Sequence, residues 1–232
     1  MRLIIDGIVE GLRLLASLDR EVLRITWLTL RVSGTATVIA VLAGVPLGTW
    51  LGLARFRGRG TLITIVNVGM GLPPVIAGLL VSILLWRSGP LGALRLLYTP
   101  TAMIIAQGLI ASPLVIGLTR SAIESLDTGL QEQLLSLGAS RRQMLWSLLG
   151  ECRLGLMAAV IAGFGGVVSE VGASIMVGGN IPGHTRVLTT AIVLEVSRGQ
   201  FGAAIALSTV LMVLAYLTTA ILTGLQQKGS RA

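Results

Sequence analysis

Apolar residues fall into long blocks separated by short polar stretches, and the blocks define the elements. Five of them, 26–53, 61–86, 99–119, 154–177 and 201–225, are long and apolar enough to read as membrane-crossing helices. A crossing needs about 20 helical residues, because a rise of about 1.5 Å each must cover roughly 30 Å of hydrocarbon. The run 187–196 is too short to cross alone and is expected to dip into the membrane or lie flat on it. At the front, Ile4, Ile5, Ile8, Val9, Leu12 and Leu15 recur at helical spacing, while Asp6, Glu10 and Arg13 interrupt any signal-peptide core. Residues 1–24 therefore read as an amphipathic helix on the membrane surface, 25–225 as one membrane domain and 226–232 as a short tail.

Composition agrees with this pattern. The chain is 53% hydrophobic and 12% charged, against about 25% charged in a soluble domain. Its net charge of +8 does not point to nucleic acid, because the arginines sit singly or in short clusters between apolar runs and aromatics make up only 4%. Basic loops between spans account for the charge. A lone Cys152 excludes an internal disulfide, and neither it nor the single His184 has the company a metal site needs.

The loops also set an orientation. Arg55, Arg57 and Arg59 crowd the first, and Arg120, Arg141, Arg142 and Arg153 lie in or beside the third. The other two loops hold only Arg87 and Arg95, then Arg186 and Arg198. The positive-inside rule puts the first and third loops in the cytoplasm, with Lys228 and Arg231 of the tail. The N-terminus then falls outside, against the tendency of its own Arg2, Arg13, Arg20 and Arg24.

Several spans carry residues that bend helices. "NVGMGLPPVIAG" puts Gly69, Gly71, Pro73 and Pro74 inside the second, and Pro113 interrupts the third. Asn67 and Gln107 add polar groups within spans. Two readings stand: close helix packing through small residues, or helices that move or line a path.

The third loop, 120–153, contains "SLDTGLQEQLLSLGASRRQMLWSLLGECR". Asp127 caps a first short helix whose Leu130, Leu134 and Leu137 share a stripe, and Gly138 supplies a left-handed stop. Ser140 and Gln143 form a capping box that starts a second helix, with Met144, Leu145, Leu148 and Leu149 on one apolar face. A capped helix pair standing in the cytoplasm is a surface for a partner.

The external loop, 178–199, opens with "GGNIPGHTRVLTTAI". Its glycines and Pro182 reverse the chain, and Asn180 can cap backbone groups. His184 is either a hydrogen-bonded turn residue, a ligand or a pH-sensing group. Thr185, Arg186, Thr189 and Thr190 suit an oxyanion, because hydroxyls and a guanidinium donate hydrogen bonds to it. Glu170 lies about seven residues inside the outer end of the fourth span, where an unpaired carboxylate is costly. A structural or gating role fits it, by pairing with Arg31 of the first span or by hydrogen-bonding across a dimer. Arg31 equally has a snorkelling reading.

Glu132, Gly138 six residues on and Leu148 ten further resemble the "EAA" coupling loop of ABC importer permeases. Gln133 and Leu134 stand where that family usually has alanines, and Glu151 where a proline commonly closes the motif. "SEVGASIMVGGNIPGHTRVLTTAI" is similar to the segment that marks the oxyanion branch, whose substrates are molybdate, tungstate and sulfate. Its "GHTRVLTTAI" continuation looks most like tungstate permeases of the Tup type. The resemblance covers about 27–225.

It implies an all-α integral membrane fold of the type I ABC importer permeases, with about five spans and a cytoplasmic coupling helix pair, in the bacterial plasma membrane. It implies ATPase coupling through Glu132, Gly138, Ala139, Arg141 and Leu148, with Glu170, Asn180, Thr185, Arg186 and Thr189 as candidates for the gate or path. Two copies would pair around a path, two ATPase subunits holding ATP and Mg would dock on the coupling loops, and a separate extracytoplasmic protein would deliver the anion. No phosphate-binding G-x-x-x-x-G-K-[ST] loop is present, so no catalysis or cofactor is expected in this chain. A molybdate or sulfate permease is the near alternative. An ion-coupled secondary transporter is the distant one, with Glu170 and Glu195 as its only intramembrane carboxylates.

Overall fold

The computed structural model describes residues 2–17 and 19–230; Arg231 of the tail lies outside them. Among these residues the chain is helical with no strand. Helix α1 (Arg2–Ala16) precedes α2 (Arg20–Leu53), α3 (Arg59–Met70) and α4 (Pro74–Leu85). Then come α5 (Pro100–Glu124), α6 (Thr128–Ser136), α7 (Arg141–Glu151), α8 (Arg153–Val168) and α9 (Gly172–Gly178). A short α10 (Leu188–Ser197) leads into α11 (Phe201–Ser230).

Helices α2, α5 and α11 are each long and apolar enough to cross a membrane unbroken. The expected second span is broken: α3 and α4 meet at 103°, where Gly71 ends one helix and Pro73 and Pro74 begin the next. That follows from proline at the first helical position, which needs no N–H there but cannot continue the preceding turn. The expected fourth span is also broken, between α8 and α9 at Ser169–Val171. Pro113 does not interrupt the third span. Helix α5 runs through it, and the ring packs against Gly69 of α3, where an added Cβ would lie 2.8 Å from Pro113 Cγ.

Two boundaries shift as well. Asp19 caps α2 by accepting from the Glu21 and Val22 amides, both at 3.0 Å, so the first span starts at Arg20 rather than 26. The expected 24/25 domain boundary thus falls inside α2. Helix α1 packs on α11 through its two glycines; a Cβ at Gly11 would stand 2.6 Å from the Ala206 carbonyl. Its stripe Ile4, Ile5, Ile8 and Leu12 stays exposed.

The bundle is organised around α2 and α5. Gly44, Gly48 and Gly52, four residues apart on α2, face Val115, Thr119 and Ile123 of α5. At Gly48 an added Cβ would stand 2.6 Å from the Ile116 carbonyl oxygen, so only glycine allows this approach. Toward the starts of α2 and α5 lie two apolar clusters shared with the broken spans. One is Val32, Val81, Met103, Ala106, Ala173 and Val177, and the other is Ala40, Ala111, Val115 and Val167.

Hydrogen bonds sort the loops into two ends. At one end Arg59 pairs with Glu124, Arg120 reaches the same carboxylate at 3.4 Å, and Gln226 of α11 donates to the Leu154 carbonyl at 3.0 Å. At the other, the Tyr98 amide donates to the Val177 carbonyl at 2.8 Å, and Arg24 donates to the Gly183 carbonyl at 2.6 Å. The first and third loops therefore share one end. The second and fourth share the opposite end with the start of α2, the arrangement that the distribution of arginines predicts.

Candidate functional site: a coupling helix pair and a buried polar loop

The coupling helix pair is assembled by local caps. The Asp127 side chain accepts from the Gly129 amide at 2.8 Å and starts α6. Gly138, at φ +82°, ends it: its amide donates to the Leu135 carbonyl and the Ala139 amide to the Leu134 carbonyl, both at 3.0 Å. That is the paired-bond stop in which a left-handed residue lets the last carbonyls be satisfied. Ser140 then exchanges bonds with Gln143, accepting from its amide at 3.3 Å and donating its own amide to Gln143 Oε1 at 2.8 Å. Helix α7 starts there.

Burial divides the pair into an anchor and a face. Leu148 is fully buried against Ile123 and Cys152, with Leu130, Leu134, Met144 and Leu149 around it. Leu148 thus fastens the pair to the end of α5 and does not reach the exposed surface expected of a partner contact. Leu137 leaves the predicted stripe too. It caps α6 after the helix has ended, and it stands 85% exposed. The outward face carries Glu132, Leu135, Leu137, Arg141 and Trp146, the last 75% exposed, with Gly138 at its bend and Ala139 half-buried.

At the opposite end the polar loop is woven into the bundle. Gly179, at φ +69°, ends α9 against the ring of Tyr98. The Ile181 carbonyl then accepts from the amides of His184, Thr185 and Arg186, at 3.0–3.1 Å. The buried Thr185 hydroxyl donates to the Gly178 carbonyl at 2.5 Å and accepts from the Ile181 amide at 3.0 Å. Thr190 Oγ1 accepts from the Val187 amide at 3.1 Å and donates to Asn180 Oδ1 at 2.9 Å. Helix α2 pins the loop at Gly183 through Arg24 and at the Leu188 amide through Thr29 Oγ1, at 3.0 Å.

These bonds decide what each predicted residue does. Thr185, Thr189 and Thr190 are buried and their hydroxyls are engaged within the chain. Glu170 is 9% exposed and meets backbone rather than Arg31. Its Oε1 accepts from the Ala173 amide at 3.0 Å, capping α9, and its carbonyl accepts from Thr189 Oγ1 at 3.0 Å. The break between α8 and α9 leaves the Ala173 amide free at the start of α9, so the carboxylate takes it. Arg31 is exposed on α2 instead. Arg186 is half-buried, reaches Glu21 at 3.9 Å and keeps its Nε buried without a partner. Glu195 pairs with Arg198 at 3.3 Å, so the two intramembrane carboxylates have separate partners. His184 is an exposed turn residue. Gln107, buried, donates to Ser174 at 3.1 Å and joins α5 to α9, a role that its sequence position alone did not specify.

Among the described residues, three unbroken spans, the bent α3–α4 pair, the broken α8–α9 segment and a capped helix pair at one end define a polytopic permease architecture. The chain matches the family described as "Binding-protein-dependent transport system inner membrane component" over residues 44–230 and belongs to it. It is a multi-pass inner-membrane protein, and permeases of this kind are non-catalytic. It is 41% identical to a tungstate uptake system permease of Peptoclostridium acidaminophilum, over 98% of this chain and 100% of that one. A tungstate uptake system permease of Campylobacter jejuni is 35% identical, over 92% of this chain and 89% of the other. A probable anion ABC transporter permease of Haloferax volcanii is 36% identical, over 82% and 84%. Among solved structures, an inward-facing methionine ABC transporter aligns with TM-score 0.75 at 22% identity, over 92% of this chain and 98% of its own, which establishes the fold.

Proposed function

We propose that the chain is the membrane subunit of an ATP-driven importer of a tetrahedral oxyanion, with tungstate as its substrate. The observation that carries this is the end-to-end similarity, at 41% identity, to a permease named for tungstate uptake. The face bearing Glu132, Gly138, Ala139, Leu137, Arg141 and Trp146 serves as the docking surface for a separate ATPase subunit that holds ATP and Mg. Leu148 transmits its movement to α5. Two copies of the chain pair around the path. In support, Asn67 lies exposed on α3, a helix with no buried side chain, and lipid would leave its amide unsatisfied. At the outer end, an extracytoplasmic binding protein delivers the anion to the rim formed by 178–190. There Glu170 and Asn180 position the gate, with Thr185 and Thr189 holding its frame and Arg186, which shares its charge with Glu21 at 3.9 Å and keeps its Nε unpartnered, as the residue that meets the anion.

The test is ATP-driven uptake into proteoliposomes containing this chain, its ATPase and its binding protein. Labelled tungstate should accumulate, molybdate and sulfate much less, and Glu132→Ala should abolish uptake with an unchanged melting temperature. Accumulation without the ATPase would mean a secondary transporter. Equal or greater uptake of molybdate or sulfate would reassign the substrate.

A further inference from the structure

On the outward end of α2, three arginines line one cleft that the import reading does not use. Arg20, Arg24, Trp27 and Arg31 recur at i, i+4, i+7 and i+11, and so stand on one stripe of the helix. Together with His184 of the loop they border a cavity of about 860 Å³, floored by Ile25, Leu28 and Pro100. The one carboxylate on its wall, Glu21, reaches Arg186 at 3.9 Å. Arg24 spends one nitrogen on the Gly183 carbonyl. Among the described residues, Arg20 and Arg31 make neither an ion pair nor a side-chain hydrogen bond. The cleft therefore carries more cationic than anionic charge.

Depth makes this charge meaningful. Arg31 lies roughly 16 Å along the helix from Arg20, toward the hydrocarbon, where an uncompensated guanidinium is costly. Trp27, exposed between them, suits the membrane–water interface, and the apolar floor suits a hydrocarbon stem. Arginines spaced along one wall offer forked donors to a tetrahedral oxyanion.

We propose that Arg20, Arg24 and Arg31 form a binding site for a tetrahedral oxyanion group at the outer end of α2, supplied either by a lipid phosphate or by a free dianion. The site is separate from the ATPase-docking face, and its test reads binding rather than uptake, so it stands or falls apart from the import reading. The detergent-purified full chain is titrated in native mass spectrometry with phosphatidylglycerol, with phosphatidylcholine, and with sodium tungstate.

If the lipid phosphate is the ligand, phosphatidylglycerol binds at least about tenfold more tightly than phosphatidylcholine, and tungstate does not displace it. If the free dianion is the ligand, tungstate binds directly or displaces the lipid. In both cases Arg31→Gln weakens the ligand about tenfold, the loss expected for one charge-assisted contact. Arg31→Lys retains most of the affinity, and Arg87→Gln in the second loop changes nothing. Because Arg31 has no partner among the described residues, its variant should melt as the parent does. Equal binding of both probes by parent and Arg31→Gln overturns the proposal.

Discussion

The polar turn in the coupling pair and the polar loop at the opposite end are held by opposite kinds of bond. Around Gly138 the hydrogen bonds that set the turn join residues no more than five apart, as in Asp127 with Gly129, Ser140 with Gln143 and Ala139 with Leu134. Around Gly183 the decisive bonds come from α2, 159 residues away, through Arg24 and Thr29. The first turn stays wet and leaves its side chains free for a partner. The second is largely buried, and its hydroxyls satisfy its own backbone. A polar segment in a membrane chain can thus be a surface or a framework, and burial distinguishes the two.

That contrast can be broken by substitutions with effects of decreasing size on stability. Thr185→Val keeps the shape but orphans the Gly178 carbonyl and the Ile181 amide. It should cost about 2–4 kcal/mol and lower the melting temperature by roughly 4–15 °C in detergent. Thr29→Val removes the acceptor for the Leu188 amide and should cost about 1–3 kcal/mol, with faster hydrogen exchange at 183–190. Gly138→Val forces a β-branched residue to φ +82°, at about 1–3 kcal/mol confined to the coupling pair. It should uncouple ATP hydrolysis from uptake while the spans melt normally. Ser140→Ala loses only the capping box, about 1 kcal/mol, and should lower the helicity of a peptide covering 139–151. If Thr185→Val proved milder than Ser140→Ala, the outer loop would not be the framework described here.

Much of the fold was legible because membrane spans and caps are local properties. The long α2, α5 and α11, the bend at Pro73 and Pro74, and the caps at Asp127, Gly138 and Ser140 all follow from nearest-neighbour chemistry. The stripe of Gly44, Gly48 and Gly52 could have been read as the α2–α5 contact, since small residues four apart mark close helix approach. The break in α8–α9 carried no proline and needed Glu170 to cap it from within the span, so hydropathy passed over it. Leu137 keeps helical spacing in the sequence, but α6 ends one residue before it, so the stripe does not reach it.

By itself the sequence determined that this is a multi-pass membrane chain, which loops share an end, and where the coupling pair turns. Those features depend on hydropathy, charge and hydrogen bonds between close neighbours. Only the tertiary structure decided that Thr185, Thr189 and Thr190 face inward, that Leu148 is an anchor, and that Glu170 holds a helix end rather than Arg31. Each of these depends on what the packing of the helices brings against a side chain: polar partners within about 3 Å of the threonines and of Glu170, and the apolar end of α5 against Leu148.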